Sequence, residues 1–413
     1  MSFKLPSIIK TISKELEKKG AKAIVVGGSV RDFYLGFEIK DYDIEVYNLD
    51  SLQTLQDILT PYGSLNLVGK SFGVLKFKCD GDEYDFSFPR TESKVGQGHK
   101  GFDVKIDGFM SFKEASKRRD FTINAMGYDI QEDKFLDPYG GMSDIKNKLL
   151  KHIDDITFQE DPLRVYRAVQ FCARIEVKLD AQTTFLCKKM VDADMLETLP
   201  KERILAEFEK LFFKASNPSL GFELMKELGV LKHFRELDAL SQEVYAETLK
   251  NLDSMRKSLD ADVKTNLVFM FATLCFKFKD LQECENFILR FSDEKKLLKR
   301  VQTLLRCSGE VLDKELSDKD IRILATKIKI SELVTFLKAI DTQIYDLEQR
   351  AKELGVYTKP LDALIMGKDL VSLGLKPSLE FKKILDGVYE LQLSGKISTK
   401  KEALEFVGSL KNG

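Results

Sequence analysis

Residues 21–47 read AKAIVVGGSVRDFYLGFEIKDYDIEVY, and this stretch decides the fold. It opens on an apolar run that stops at Gly27-Gly28, the pattern of a buried strand meeting a tight turn. Residues 30–35 then begin a short helix. Residues 42–47 (YDIEVY) alternate with period two, as a half-buried strand does. Strand, glycine turn, helix and strand in so short a span predict a sheet with helices packed on it.

Working outward, residues 51–59 have helical spacing. Residues 73–78 and 83–88 read as two strands joined by the turn sequence CDGD at 79–82. The whole is an α+β head of about 140 residues. Between 91 and 107 the pattern fades into TESKVGQGHKGFDVKID, rich in Gly and Lys, which reads as a mobile loop. Helix resumes at 112–117, with a further helical turn through Asn124. Asp137-Pro-Tyr-Gly-Gly141 is a turn leading into a short helix near Ser143. From Asp161 onward the spacing is helical almost throughout, at 163–175, 202–213, 220–228, 243–256, 263–279, 293–307 and 380–393.

Composition bounds the reading. A chain of 413 residues exceeds one compact core and predicts two or more domains. Hydrophobic residues at 43% and charged residues at 32% exclude a disordered chain. Lys+Arg number 65 against 66 Asp+Glu, so a nucleic-acid partner must be met by a local field on one face. Six cysteines without a CxxC pair argue against a disulfide scaffold and a thiolate zinc site. MSFKLPSIIKTISKELEKK lacks the apolar centre of a signal peptide, and no apolar run reaches the roughly 18 residues of a spanning helix. The expectation is a cytoplasmic protein with no membrane partner.

Three constellations carry chemistry. Asp41 and Asp43 flank Tyr42, and residues two apart on a strand point to one face. Such carboxylates repel unless a cation lies between them, and Mg²⁺ takes oxygen ligands of this kind together with substrate phosphates. If the strand at 83–88 neighbours the strand at 42–47, Asp85 completes a two-metal site. A carboxylate pair alone is a weak signal, more often a surface strand edge. Gly27-Gly28 strengthens it, because glycines between strand and helix let backbone N–H groups approach a phosphate. Ser29 adds a hydroxyl and Arg31 a cation in reach of the same anion.

The second constellation is Lys117-Arg118-Arg119-Asp120 with Asn124. Three consecutive cations near an acidic centre suit a triphosphate clamp, and a solvated basic turn is an equal alternative on composition. Asp120 and Asn124 are spaced to share a helix face, and either is placed to contact a ribose. The third is Glu160-Asp161-Pro-Leu-Arg164-Val-Tyr-Arg167. Pro162 suits a first helical turn, and Asp161 stands near the N-cap. Arg164 and Arg167 lie one turn apart. Asp and Arg together offer acceptors and donors to a base edge, against the plainer reading of a cap and two surface arginines.

Taken in order, Gly27-Gly28-Ser-Val-Arg31-Asp32, Lys40-Asp41-Tyr-Asp43, Arg118-Arg119-Asp120-Phe-Thr-Ile-Asn124-Ala125, Asp137-Pro-Tyr-Gly-Gly-Met-Ser-Asp144, Glu160-Asp161-Pro-Leu-Arg164 and Glu202-Arg203-Ile-Leu-Ala-Glu207 form a set. The set resembles the bacterial class II tRNA nucleotidyltransferase (CCA-adding enzyme) and poly(A) polymerase family over residues 20–213, and more weakly to the end. The resemblance implies a polymerase β-like nucleotidyltransferase head with a small mixed sheet (1–145). An all-helical neck (146–215), body (216–350) and tail (351–413) follow. It implies catalysis at Asp41 and Asp43; Asp85 as a third ligand to Mg²⁺ rests on the strand pairing inferred above. The resemblance puts the incoming nucleotide and its ribose on Arg118–Asp120 and a phosphate on Arg167, beside the phosphate contacts already read for Gly28, Ser29, Arg31 and Arg119 and the ribose contacts for Asp120 and Asn124. Asp161 and Arg164 become the amino-acid template that reads CTP and then ATP, braced by Glu202 and Arg203. The 91–107 stretch matches the loop implicated in the switch from C to A addition.

In many long members a phosphohydrolase centre with a His-Asp pair lies in the C-terminal half. Here Cys275 and Phe276 stand at the matching place, and the chain's only histidines are His99, His152 and His233. Lys368 and Lys376 in the tail segment are expected to meet the tRNA backbone. The activity implied is addition of CCA to the 3′ end of tRNA from CTP and ATP, with pyrophosphate released. The rivals are a partial CC-adding or A-adding enzyme, a poly(A) polymerase, and a non-catalytic RNA-binding protein.

Overall fold

A computed structural model of the chain describes residues 3–39, 41–66, 73–94, 102–313, 315–340 and 345–411, with backbone alone at 91–94, 102–105, 345 and 411. The chain divides into two compact units, residues 1–233 and 234–413. No described helix is long and apolar enough to cross a membrane.

The first unit opens on nine described strands and their helices. In chain order these are α1 (Ser7–Glu17), β1 (Lys22–Val26), α2 (Gly28–Tyr34), β2 (Tyr42–Tyr47), α3 (Leu52–Leu59), β3 (Ser64–Asn66), β4 (Val74–Cys79), β5 (Asp82–Ser87), β6 (Arg90–Lys94), β7 (Phe102–Ile106), α4 (Phe112–Lys117), β8 (Gly127–Asp129) and β9 (Lys134–Leu136). Seven of the strands form one sheet in the order β3-β4-β5-β2-β1-β8-β9. Every neighbouring pair is antiparallel except β2 and β5, which are parallel.

Alternation sorts the side chains of this sheet. Ala23 and Val25 of β1, Ile44 and Val46 of β2, and Tyr84 and Phe86 of β5 join Ile9, Ile12 and Leu16 of α1 and Leu55 and Leu59 of α3 in the main core. Burying a side chain such as Phe86 contributes roughly 1.5–3 kcal/mol. The opposite face carries only a small apolar cluster, Ile24, Val26, Tyr47 and Ala115, with Phe112 and Met110 against it. The intervening positions 43, 45, 85 and 87 of that face are polar and open onto the site.

The loop expected at 91–107 is in part a hairpin: β6 and β7 pair antiparallel from Arg90↔Ile106 to Lys94↔Phe102. Residues 95–101 of that expectation lie outside the described residues. The alternation in FDVKI signalled a strand, and the neighbouring Gly and Lys residues masked it.

The helices α5 (Gly141–Lys146), α6 (Asp155–Glu160), α7 (Leu163–Ile175), α8 (Ala181–Asp192), α9 (Lys201–Lys214) and α10 (Ser219–Glu227) complete the first unit. A further parallel strand pair, Leu149–Leu150 with Lys178–Leu179, lies in the segment 146–215 that was expected to be all-helical. α7 packs against both α9 and α10, which also meet each other through Phe208, Phe212 and Phe222. The Asp137–Asp144 motif serves the fold. Asp137 accepts the N–H groups of Gly141 and Met142, and Asp144 accepts the Thr122 hydroxyl, which pins the turn carrying Asn124.

The second unit is helical. Its centre is the helix Val263–Cys275, buried along most of its length and packed by Gln242–Lys257 and Lys295–Leu312. Phe234, Phe271, Phe287 and Phe291 interlock around it. Cys275 is part of this apolar packing. A separate small core of Ile365, Leu370, Val388, Ile397, Ala403 and Val407 holds the last helices together. Lys368 and Lys376 are exposed there.

Candidate active site

The parallel pairing of β2 and β5 sets Asp43 opposite Asp85, the neighbourhood on which the third carboxylate depended. Asp41 stands just before β2, and its period-two relation to Asp43 puts it on the same side. A cleft of about 240 Å³ opens over these strands, lined by Asp43, Glu45, Asp85, Arg90, Arg118 and Arg119 together with Val26, Val74, Ser87 and Phe88. Asp43 is solvent-accessible but crowded. Desolvation pushes its carboxyl above the ordinary range, Asp85, Asp41 and Glu45 push it further, and Arg119 opposes them.

The charge distribution suits a cation. Asp85 Oδ1 is buried and accepts no hydrogen bond among the described residues, while Lys76 of β4 holds its Nζ 3.4 Å away. A carboxylate oxygen met only by the ammonium of Lys76, beside a carboxyl with a raised pKa, is further stabilised by a bound divalent ion. The side chains are not yet gathered into a cage, since among the described residues no three carboxylate, imidazole or thiolate groups converge as metal ligands.

Facing these acids are the arginines that follow α4. Ser111 and Glu114 form a capping box that fixes the start of α4. Phe112 packs against Tyr47, which anchors the helix on the sheet. The chain then delivers Arg119 Nη2 to Glu45 Oε1 at 2.9 Å, with Arg118 Nη2 at 3.6 Å from the same oxygen. Glu45 is 2% exposed, and its other oxygen accepts the Tyr47 hydroxyl at 2.7 Å. Arg119 Nη1 reaches the Asn124 carbonyl at 3.3 Å, while its buried Nε donates to nothing among the described residues. Lys117 turns away to Asp154 at 3.1 Å. Of the expected basic clamp, Arg118 and Arg119 therefore face the cleft.

The glycine turn behaves differently from expectation. Gly27 has φ 71° and ψ −121°, and a Cβ there would stand 2.8 Å from Arg119 Nη1. Helix α2 begins at Gly28, which turns Ser29 and Arg31 inward. Both are buried: Ser29 Oγ donates to the Val26 carbonyl, and Arg31 binds Asp32 Oδ1 through Nε and Nη2 and Asn124 Oδ1 through Nη1. Phe171 covers the Arg31 guanidinium at 5.0 Å. Ser29 and Arg31, expected to contact phosphate, make internal contacts in this structure, because the short helix presents them to the protein rather than to the cleft.

Asp120 and Asn124 also work internally. Asn124 Nδ2 donates to Asp120 Oδ1 at 2.8 Å, although the two are joined by a 3₁₀ turn, not an α-helix. Asp120 Oδ2 takes Arg167 Nε at 2.6 Å, and Arg167 Nη1 lies 3.6 Å from buried Glu207. A charged chain therefore runs Arg31–Asn124–Asp120–Arg167–Glu207 and ties the sheet to α7 and α9. Burial alone would raise the Asp120 carboxyl. Arg167, the Asn124 amide and Arg164 outweigh it and hold the group below its ordinary value. Arg167 and Asp120 are engaged with one another where phosphate and ribose contacts were expected.

Asp161, Arg164 and Arg167 recur every three residues at the start of α7 and are all half-buried. Asp161 Oδ1 accepts the Leu163 N–H, and Oδ2 accepts Arg203 Nη2 at 2.9 Å. Arg164 donates to the carbonyls of Thr157 and Arg118 at 2.8 and 2.6 Å. Arg203 of α9 is thus held against Asp161, whereas Glu202 is exposed on the first turn. The sequence reading missed Glu45 and Glu207. The signal for Glu45 was available, since it is the third acid in the series 41, 43, 45 on one strand face.

The chain is similar to several known proteins. Residues 23–151 match the model of the poly A polymerase head domain, and residues 177–240 match the model described as the probable RNA and SrmB-binding site of polymerase A. The "Multifunctional CCA protein" of Acinetobacter baumannii strain SDF is 36% identical over 220 residues, 52% of this chain and 51% of that protein. The match thus spans about half the length of the curated relative. Among solved structures, the Bacillus stearothermophilus CCA-adding enzyme in complex with CTP superposes with a TM-score of 0.73 at 22% identity, over 98% of each chain. The Thermotoga maritima CCA-adding enzyme complexed with tRNA gives a TM-score of 0.67 at 21% identity, over 98% of this chain and 96% of that one. These likenesses establish a common fold.

Proposed function

We propose, for a chain that belongs to the class II tRNA nucleotidyltransferase and poly(A) polymerase family, that it adds the nucleotides CCA to the 3′ end of tRNA from CTP and ATP. The observation that carries this reading is the register of β2 and β5. It places Asp43 and Asp85 side by side across one cleft from Arg118 and Arg119. Acids and arginines on opposite walls suit a substrate that brings both a cation and a polyphosphate.

In this proposal Asp43, Asp85 and Asp41 hold Mg²⁺. When bound, the metal supplies a lowered pKa for the attacking 3′-hydroxyl and neutralises charge on the leaving pyrophosphate. Arg119, kept in place by Glu45, orients the polyphosphate with the Nη hydrogen atoms that its two anchors leave over. The Asp120–Arg167 brace keeps α7 at a fixed height above the sheet, so that a base stacked near α7 meets the same donors and acceptors in each cycle. Asp161 retains lone pairs beyond those used by Leu163 and Arg203. Arg164 retains N–H groups beyond those used by two carbonyls. These remaining groups select the base edge. The tail lysines Lys368 and Lys376 contact the RNA backbone.

The description of the matched head domain also favours a second reading, poly(A) addition. One experiment separates the readings. Three tRNA transcripts, ending before CCA, after C and after CC, are each incubated with CTP, ATP or both in the presence of Mg²⁺. Ordered growth to CCA followed by a stop is the expected result. Addition of C alone or A alone means a divided pathway. Long A tails on unrelated RNA move the assignment to a poly(A) polymerase, and no incorporation on any RNA overturns the enzyme reading.

A further inference from the structure

The second unit contains a cavity of about 630 Å³ that the nucleotidyl-transfer chemistry does not use. It is built from the body alone, between the start of the helix Val263–Cys275, the first half of the helix Lys295–Leu312, and residues 327–332. Its volume lies in the range of small-molecule sites and far exceeds what a single phosphate fills. The floor is apolar, with Leu267, Val268, Leu297 and Leu304.

The rim is cationic in an unusual way. Helices normally carry acidic residues in their first turn, where the N–H groups point outward. Lys295–Leu312 has none: its first turns read Lys295-Lys296-Leu-Leu-Lys299-Arg300, and Glu294 gives it no side-chain cap. Arg300 is accounted for, since Nη2 donates to the Thr265 hydroxyl at 2.9 Å and meets Glu332 at 3.3 Å. Lys327 is likewise paired, with Glu310, and Lys329 with Glu332. Lys264, Lys296 and Lys299 line the cavity and have no carboxylate within ion-pair distance among the described residues. Three free ammonium groups and an uncapped helix start therefore converge on the mouth of an apolar hollow.

We propose that this cavity is a second nucleotide site, taking a free nucleoside polyphosphate. Its base lies on the Leu267–Leu297–Leu304 floor, and its phosphates meet Lys264, Lys296, Lys299 and the first turn of Lys295–Leu312. Inorganic phosphate satisfies the rim and leaves the floor empty. A hydrocarbon anion satisfies the floor but makes no use of Thr303 and Glu294 on the walls, which offer hydrogen bonds to a base edge.

The test is lysine footprinting of the full chain, read by mass spectrometry as the acylation rate of each lysine. The probes are ATP, inorganic tripolyphosphate and a short single-stranded RNA. A site with a Kd of about 0.1 mM is about nine-tenths filled at ~1 mM ATP, so Lys264, Lys296 and Lys299 should acylate about tenfold more slowly. Tripolyphosphate should protect them less. Lys296→Glu combined with Lys299→Glu, both at exposed positions, should abolish the protection of Lys264. Lys76 and Lys117 report the head separately, so failure there and failure here are distinguishable. No protection by ATP overturns the proposal. So does protection by RNA without protection by ATP, which would make the patch an RNA-backbone contact. Equal protection by ATP and tripolyphosphate overturns the placement of a base on the floor.

Discussion

Glu45 Oε1 accepts a hydrogen bond from Arg119 Nη2 at 2.9 Å, across 74 residues of sequence. Glu45 is the third acid on the site face of β2, yet it differs from Asp43 in being buried and fully occupied by Arg119, Arg118 and Tyr47. It is an anchor for the cationic wall and not a member of the anionic one. Glu45→Gln keeps the shape and an acceptor but removes the charge. The variant should lose about 3 kcal/mol of stability, the scale set by breaking a buried pair. It should also raise KM for nucleotide several-fold more than it lowers kcat. Thermal unfolding together with steady-state incorporation checks both, and an unchanged KM would show that Arg119 needs no anchor.

The raised pKa of Asp43 has a sign that can be tested. A carboxyl raised by folding favours the folded state most at low pH, and that contribution is lost as pH rises through the folded value. At neutral pH the charged group is therefore a local burden that a cation relieves. Asp43→Asn should melt slightly higher than the parent chain without divalent ions, and should be inactive. Mg²⁺ at 10–100 times its Kd stabilises the parent by about 1.4–2.7 kcal/mol and should raise its Tm by a few degrees. The variant should show little of that rise. Equal Mg²⁺ shifts in both proteins would remove Asp43 from the metal site.

Asp120 predicts the opposite pH behaviour. Its carboxyl is held below the ordinary range by Arg167, the Asn124 amide and Arg164 against the effect of burial. A depressed carboxylate contributes stability that is present above its unfolded pKa of about 3.9 and lost as pH falls through the lower folded value. The parent chain should lose stability steeply below about pH 4. Asp120→Asn should be less stable at pH 7 by about 3 kcal/mol, because Arg167 is left buried beside a neutral partner. Its acid slope should be shallower. Denaturant melts between pH 3 and 7 compare the two, and parallel pH profiles would mean that Asp120 is not the group titrating.

How far the sequence reading reached follows from which interactions are local. The apolar run before Gly27-Gly28 located β1, alternation located β2, and the CDGD turn located β4 and β5, each to within a residue or two, because these signals depend on neighbouring residues alone. Asp85 needed one non-local fact, the pairing of β5 with β2, and the glycine turn and CDGD hairpin were insufficient to supply it. β8 and β9 escaped notice because three-residue strands are too short to show a period. The inward turn of Ser29 and Arg31 was hidden for a different reason. A glycine-rich turn shows where backbone approaches closely, but which side of the next helix is buried depends on Phe171 and Asn124, more than ninety residues away. The same distance concealed the Arg31–Asn124–Asp120–Arg167–Glu207 chain, whose members all belonged to quoted motifs that looked independent.

Gly27 joins the turn to the cleft. Its φ of 71° with ψ of −121° is a conformation that side-chain-bearing residues rarely adopt, with a cost of order 1–3 kcal/mol. Space is restricted as well, since a Cβ would meet Arg119 Nη1 at 2.8 Å and the Asn124 carbonyl at 3.9 Å. Gly27→Ala therefore acts on two links at once: the backbone resists, and the guanidinium held by Glu45 must move. Because Arg119 is a flexible chain end, the clash is relieved mostly by displacing it, so nucleotide binding should suffer more than the fold. The expected outcome is a Tm lower by several degrees and a KM for CTP raised at least tenfold, while Gly28→Ala, whose nearest neighbour is Arg31 Nη2 at 3.5 Å, has a milder effect on both. Equal KM values for the two variants would show that close approach of Arg119 to the turn is incidental to nucleotide binding.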